Sequence, residues 1–200
     1  MQGWIALENG FVFFGDSFGY SETVEGELVF NTSMTGYQEA LTDPSYAGQM
    51  LMFTFPQIGN YGCDPKSYES SKIQVNACLV KEWCRSPHQG KMNLDEWLKE
   101  EKIPGLEGID TRQLTIITRE AGTLRAVICT DGKITPKQGV KRAKKMEWPS
   151  DSNLVSIVST KRKYKRGTKG PRITLFDWGV KQSIDKNMAK MCQVTVVPWN

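Results

Sequence analysis

The last thirty residues constrain this chain most. Ile173–Phe176 is an apolar run of strand length, Asp177-Trp178-Gly179 reads as a turn, and Val180, Ile184, Met188 and Met191 recur at helical spacing. Val194–Val197 is a second strand, closed by Pro198. Strand, helix, strand over so short a span predicts a βαβ unit, with parallel strands and a right-handed crossover. Both faces of a parallel sheet need cover, and two strands cannot stand alone. The expectation is an α/β chain whose residues 171–200 are the truncated start of a parallel-sheet domain, and hence a fragment.

The remainder divides by charge. Residues 133–170 hold 12 Lys/Arg against Glu147 and Asp151, a balance of +10, while residues 1–132 hold 10 basic and 18 acidic side chains, a balance of −8. The basic character thus belongs to one segment, read here as a solvated linker between units at 1–132 and 171–200. Nucleic-acid binding would need aromatics interleaved with that charge on a folded face, and the segment offers only Trp148 and Tyr164.

Two hundred residues allow a real core. Mean hydropathy is negative and no apolar run approaches a membrane span, so no membrane role is expected. The N-terminus has no basic region leading into an apolar core, hence no secretory signal. Cys63, Cys78, Cys84, Cys129 and Cys192 are scattered without a C-x-x-C pair, which reads as reduced thiols in a cytoplasmic protein. The one histidine, His88, has no partner at ligand spacing and sits in a loop expected over Ser86–Lys91. No metal site is expected, and His88 reads as solvated.

Along the body, Ile5–Leu7 and Phe11–Phe14 flank Glu8-Asn9-Gly10, a strong hairpin signal. Gly15–Glu25 reads as loop, Glu27–Phe30 and Met50–Phe55 as strands, Cys63–Ser71 as polar loop, and Lys72–Trp83 as one strand. Asn93 and Glu96 form a capping box for a helix that Pro104 and Gly105 end. Asp110 caps a second helix with Leu114, Ile117 and Thr118 inward and Gly122 as its stop, while Arg112 is read as a structural ion-pair partner in preference to an active-site pair with Asp110. Leu124–Thr130 is a strand, Lys137–Met146 a short basic helix, and Leu154–Val158 a short strand.

The stretch Asn31–Gly62 is organised around Thr42-Asp43-Pro44-Ser45-Tyr46. Proline presets its own φ, and the Asp43 side chain can accept backbone N–H groups just ahead, so Ser45 presents its hydroxyl on a rigid turn. Such a turn between buried strands can present a side chain to a ligand, or can simply close a loop. The residues alone leave both readings open.

Longer motifs add to this. Gly26-Glu27-Leu28-Val29-Phe30-Asn31-Thr32, Met34-Thr35-Gly36-Tyr37-Gln38-Glu39, Leu41-Thr42-Asp43-Pro44-Ser45-Tyr46 and Pro56-Gln57-Ile58-Gly59-Asn60-Tyr61-Gly62 resemble the small, glutamine-hydrolysing subunit of carbamoyl-phosphate synthase. Gly108-Ile109-Asp110-Thr111-Arg112 and Phe176-Asp177-Trp178-Gly179-Val180-Lys181 match the same family in order. Nearly the whole chain is covered, apart from 133–170. The resemblance implies a small mixed β/α domain over 1–132 that contacts the synthetase subunit. It also implies that 171–200 begins a class I glutamine amidotransferase domain. Ser45 matches a glutamine-contacting serine. The family's nucleophile lies in a Gly-x-Cys-x-Gly elbow, and no cysteine here has those neighbours, so no catalytic residue is assigned. Implied partners are glutamine and the large synthetase subunit, separate or fused. The ATP and magnesium used to make carbamoyl phosphate for pyrimidine and arginine synthesis belong to that partner, and no cofactor is expected in this chain. A docking module without catalytic function is the alternative.

Overall fold

The computed structural model describes residues 2–88 and 92–200, so residues 89–91 of the loop expected over Ser86–Lys91 lie outside the described residues. In chain order the elements are β1 (Gln2–Leu7), β2 (Val12–Gly19), β3 (Thr23–Asn31), α1 (Tyr37–Thr42), β4 (Gln49–Phe53), β5 (Gln57–Ile58), β6 (Ala77–Leu79) and β7 (Glu82–Trp83). There follow α2 (Leu94–Glu100), β8 (Pro104–Glu107), α3 (Thr111–Ala121), β9 (Leu124–Cys129), α4 (Pro136–Lys145) and α5 (Leu154–Val158). Last come β10 (Tyr164–Arg166), β11 (Arg172–Phe176), α6 (Gln182–Met188) and β12 (Gln193–Val197).

Seven of these strands close into a barrel in the order β1-β2-β8-β6-β4-β3-β9, with β9 pairing back onto β1. The β3–β4, β4–β6 and β6–β8 pairs are parallel and the other pairs antiparallel. Alternation along the strands separates inside from outside. Ile5, Leu7, Met50, Met52, Ala126 and Ile128 share one cluster, which Leu114 of α3 joins. Their neighbours point the other way. Leu51 and Phe53 meet Tyr37, Leu41 and Trp97 of α1 and α2, while Trp4, Ala6, Val127 and Cys129 meet Ala143 of α4. Strands buried on both faces explain why β1, β4 and, past Arg125, β9 read as near-continuous apolar runs.

The predicted caps form. Asn93 and Glu96 make the capping box of α2, and Asp110 accepts the Gln113 N–H at 2.9 Å to start α3. The β1–β2 hairpin turns through Glu8-Asn9-Gly10, with Gly10 at φ +100°. Arg112 is exposed and makes no ion pair with a described residue, so that expectation fails.

Four other expectations are corrected. Gly15–Glu25 is not loop, because β2 runs through Gly19 and pairs with β8. A Cβ at Gly15 would overlap the Glu107 carbonyl, so glycine is there for close approach. Lys72–Trp83 is two short strands, β6 in the barrel and β7 paired with β5. Pro104 and Gly105 do more than stop a helix, since they open β8. Leu154–Val158 is helical, capped by the Asn153 side chain. The short helix α1 was not foreseen at all.

The basic segment is also more than solvated chain. A capping box at Thr135 and Gln138 starts α4, which lays Gly139 and Ala143 on the barrel. A Cβ at Gly139 would overlap the Trp4 ring. Arg125 of β9 binds both Glu8 oxygens, with Nη2 2.6 Å from Oε2, and donates from Nη1 to the Met146 carbonyl at 2.7 Å.

Beyond it, β11 and β12 pair in parallel as predicted, and β10 adds an antiparallel third strand. The expected apolar stripe of α6 is not its buried side, as Ile184 and Met191 are exposed. Asp185 is buried instead, accepting Tyr164 Oη at 2.7 Å with Arg166 Nε 2.8 Å away. Polar pairing to β10 holds this helix where apolar contact was expected.

Candidate functional site

The turn after α1 is built as its sequence dictates. Asp43 Oδ1 accepts the Ser45 N–H at 2.9 Å, and Pro44–Tyr46 forms a single 3₁₀ turn with proline in its first position. Asp43 and Pro44 are buried while Ser45 is exposed. The neighbouring turn at Gly59–Gly62 packs against the same helix. Tyr61 Oη accepts the Gly36 N–H at 2.7 Å, Tyr37 Oη donates to the Gly62 carbonyl at 2.6 Å, and the two rings stack 4.4 Å apart. Asn31 Nδ2 reaches Tyr46 Oη at 3.3 Å, so both ends of the stretch hold the turn.

The second oxygen of Asp43 faces the C-terminal unit. Lys181 Nζ lies 2.6 Å from Asp43 Oδ2, and hydrogen bonding to that carboxylate raises the lysine pKa above its ordinary value. Gly179, at φ +101°, brings its backbone against Pro44. The loop that carries Gly179 is itself held by Asp177, whose Oδ1 accepts the N–H groups of Gly179 (2.9 Å) and Val180 (2.8 Å) and whose Oδ2 accepts that of Thr160 (2.7 Å). Below the turn, Glu69 receives the start of α6. Its carbonyl accepts the Gln182 N–H at 2.8 Å, and its Oε2 accepts that of Ser183 at 2.9 Å. Thr42 Oγ1 in turn accepts the Glu69 N–H at 2.9 Å.

Ser45 therefore stands at the seam where the barrel meets the βαβ unit. A cleft of about 420 Å³ runs along this seam, with Pro44, Glu69, Lys161, Arg166, Asp177 and Gln182 in its wall. Ser45 is not part of that wall. The seam presents a serine hydroxyl on a fixed backbone, which suits positioning a polar substrate group rather than attacking it.

The three buried thiols do not show the character of a nucleophile. Cys63 is buried and its thiol is pushed up to about 12, chiefly by burial; burial pushes Cys78 up as well. Cys129 is buried in β9. His88 is exposed and donates its backbone N–H to the Asn60 carbonyl. Among the described residues no group of three or more His, Cys, Asp or Glu side chains could hold a metal ion, and no helix is long and apolar enough to cross a membrane.

Sequence reasoning located Ser45 and the Asp43 bond but missed Lys181 and Glu69 as supports of the turn. No local pattern could have linked them, since each meets it only through the fold.

The family model described as carbamoyl-phosphate synthase small chain, CPSase domain, matches residues 5–128. The chain is 45% identical to the carbamoyl phosphate synthase small chain of Bacillus caldolyticus, covering 100% of this chain and 55% of that protein. It is 44% identical to the small chain of Clostridium perfringens, over 100% of this chain and 57% of that one. The pyrimidine-specific small chain of Bacillus subtilis is 44% identical, again over 100% of this chain and 55% of the relative. The chain thus spans a little over half the length of these relatives.

Proposed function

The chain belongs to the carbamoyl-phosphate synthase small-chain family, and from that premise we propose that it is the N-terminal part of a subunit that draws ammonia from glutamine for a partner synthetase. Ser45 contacts the glutamine. The supporting observation is its place: an exposed hydroxyl on a turn locked by Asp43, at the seam with the unit that Lys181 belongs to. In this reading residues 1–132 form the docking domain and residues 171–200 open the amidotransferase domain. The nucleophile sits in a Gly-x-Cys-x-Gly elbow outside residues 1–200, so this stretch alone hydrolyses no glutamine. The protein is cytoplasmic, ATP and magnesium act in the synthetase subunit, and carbamoyl phosphate serves pyrimidine or arginine synthesis. The name of the Bacillus subtilis relative favours the pyrimidine branch.

The test is Ser45→Ala in the full-length subunit paired with the synthetase. Losing one neutral hydrogen bond removes roughly 0.5–1.5 kcal/mol. If that bond is made equally in the ground and transition states, KM for glutamine rises about a few-fold to tenfold. The rate with free ammonia stays the same. Unchanged glutamine kinetics with a lowered melting temperature would return Ser45 to a loop-closing role.

A further inference from the structure

We propose that the groove between the β1–β2 hairpin and α4 is a docking surface for an acidic, amphipathic segment of a partner protein. The groove encloses about 550 Å³, floored by Val12 and Val140 with Gly10 at one end and rimmed by Lys137, Lys141 and Lys144. Phe11, at the hairpin tip beside it, is 50% exposed.

The helix itself produces this arrangement. Because Gly139 and Ala143 face the barrel, Lys137, Lys141 and Lys144 fall on an outer stripe at spacings of four and three residues. Neighbouring cations are already engaged, Arg142 with Glu25 at 2.6 Å and Lys133 with Asp131 at 2.9 Å. The three rim lysines make no ion pair with a described residue. Three unpaired ammonium groups around an aliphatic floor fit a ligand with carboxylates beside an apolar ridge. Lys137 to Lys144 spans about 10.5 Å along α4. A helix with acids at i, i+3 or i+4, and i+7, flanked by leucines, matches both the charge and the floor.

A nucleic acid fits less well. Its phosphates would take the lysines and Phe11 offers one ring for stacking, but the valine floor would go unused.

The experiment titrates the native chain with three fluorescent probes, and a lysine-reversed variant with these and a Lys/Leu peptide. The three are a Glu/Leu peptide of about 14 residues with its leucines on one face, the same composition with the leucines dispersed, and a DNA duplex. The one-faced peptide is expected to bind at least about tenfold tighter than the dispersed one, with affinity falling as salt rises. The K137E/K141E/K144E variant should keep its melting temperature, lose the Glu/Leu peptide and gain the charge-reversed Lys/Leu peptide. Should that variant melt early, Lys141→Gln alone must still weaken binding. Equal affinity for the two Glu/Leu peptides, tighter binding of the duplex, no binding by the native chain, or binding unaltered by the lysine changes would each overturn the proposal.

Discussion

Lys181 Nζ sits 2.6 Å from Asp43 Oδ2, on the carboxylate whose other oxygen holds the Ser45 N–H at 2.9 Å. One buried carboxylate thus joins the shape of the turn to the position of the βαβ unit. Lys181 is 40% exposed at its side chain, so solvent screens the pair and Lys181→Met should cost under about 1 kcal/mol. The lysine pKa is raised in the folded state, so this contribution is fully present below the ordinary lysine value and is lost as pH climbs through the raised one. Urea titrations at neutral pH and at pH well above the ordinary lysine value should show the native-to-variant gap closing. Asp43→Ala removes both bonds and should cost more, about 1–3 kcal/mol.

Thr42 is fully buried, donates to the Gln38 carbonyl at 2.7 Å and accepts the Glu69 N–H at 2.9 Å. Thr42→Val keeps the shape and strands the buried Glu69 N–H, while the Gln38 carbonyl keeps its helix bond. The expected loss is about 1–3 kcal/mol. Glu69 also anchors the start of α6, so amide exchange at Gln182 and Ser183 should quicken in the variant. Unaltered exchange there would separate Thr42 from the seam.

Gly139→Ala would normally favour a helix by roughly 1 kcal/mol. Here the added methyl meets the Trp4 ring, and overpacking of this kind costs about 1–3 kcal/mol. The variant should therefore unfold at lower urea, whereas Lys141→Ala, on the outer stripe of the same helix, should unfold as the native chain does.

Acid should weaken the barrel through two carboxylates. Burial pushes Glu8 up, but its hydrogen bonds to Arg125 and that cation's charge outweigh burial and leave it below the ordinary value. Asp131 is held well below it despite burial, by bonds from Thr23, Lys133 and Cys129. Depressed carboxylates stabilise the fold above their unfolded pKa, near 4, and that stability is lost as pH falls through the folded values. A Glu8→Gln, Asp131→Asn variant should be less stable at neutral pH and show a flatter decline between about pH 5 and pH 2.

Much of the local structure was legible because its causes lie within a few residues. Asn93 and Glu96, Asp110 and Gln113, and Asp43 and Ser45 are pairs whose backbone and side-chain atoms cannot avoid one another once the chain turns. The strands at β11 and β12 and the apolar stretches of β1, β4 and β9 were read correctly for the same reason.

Two of the misreadings have the opposite cause. Gly15 to Gly19 looks like loop because a strand rich in glycine has no propensity of its own, and it becomes β2 only when β8 arrives beside it. Lys72–Trp83 alternates like one strand, yet Ala77–Leu79 and Glu82–Trp83 pair in different sheets. Leu154–Val158 is apolar enough for either helix or strand, and the Asn153 cap fixes helix.

Sequence alone determined the caps, the Asp43–Ser45 turn, the parallel βαβ pairing and the family, since each is carried by residues adjacent in the chain. Only the tertiary structure decided that β1 and β9 close a barrel, that the basic segment supplies a helix packed on Trp4, and that Lys181 meets Asp43. Those contacts join residues far apart in sequence. Their energy comes from burial and pairing that exist only after the intervening chain has folded.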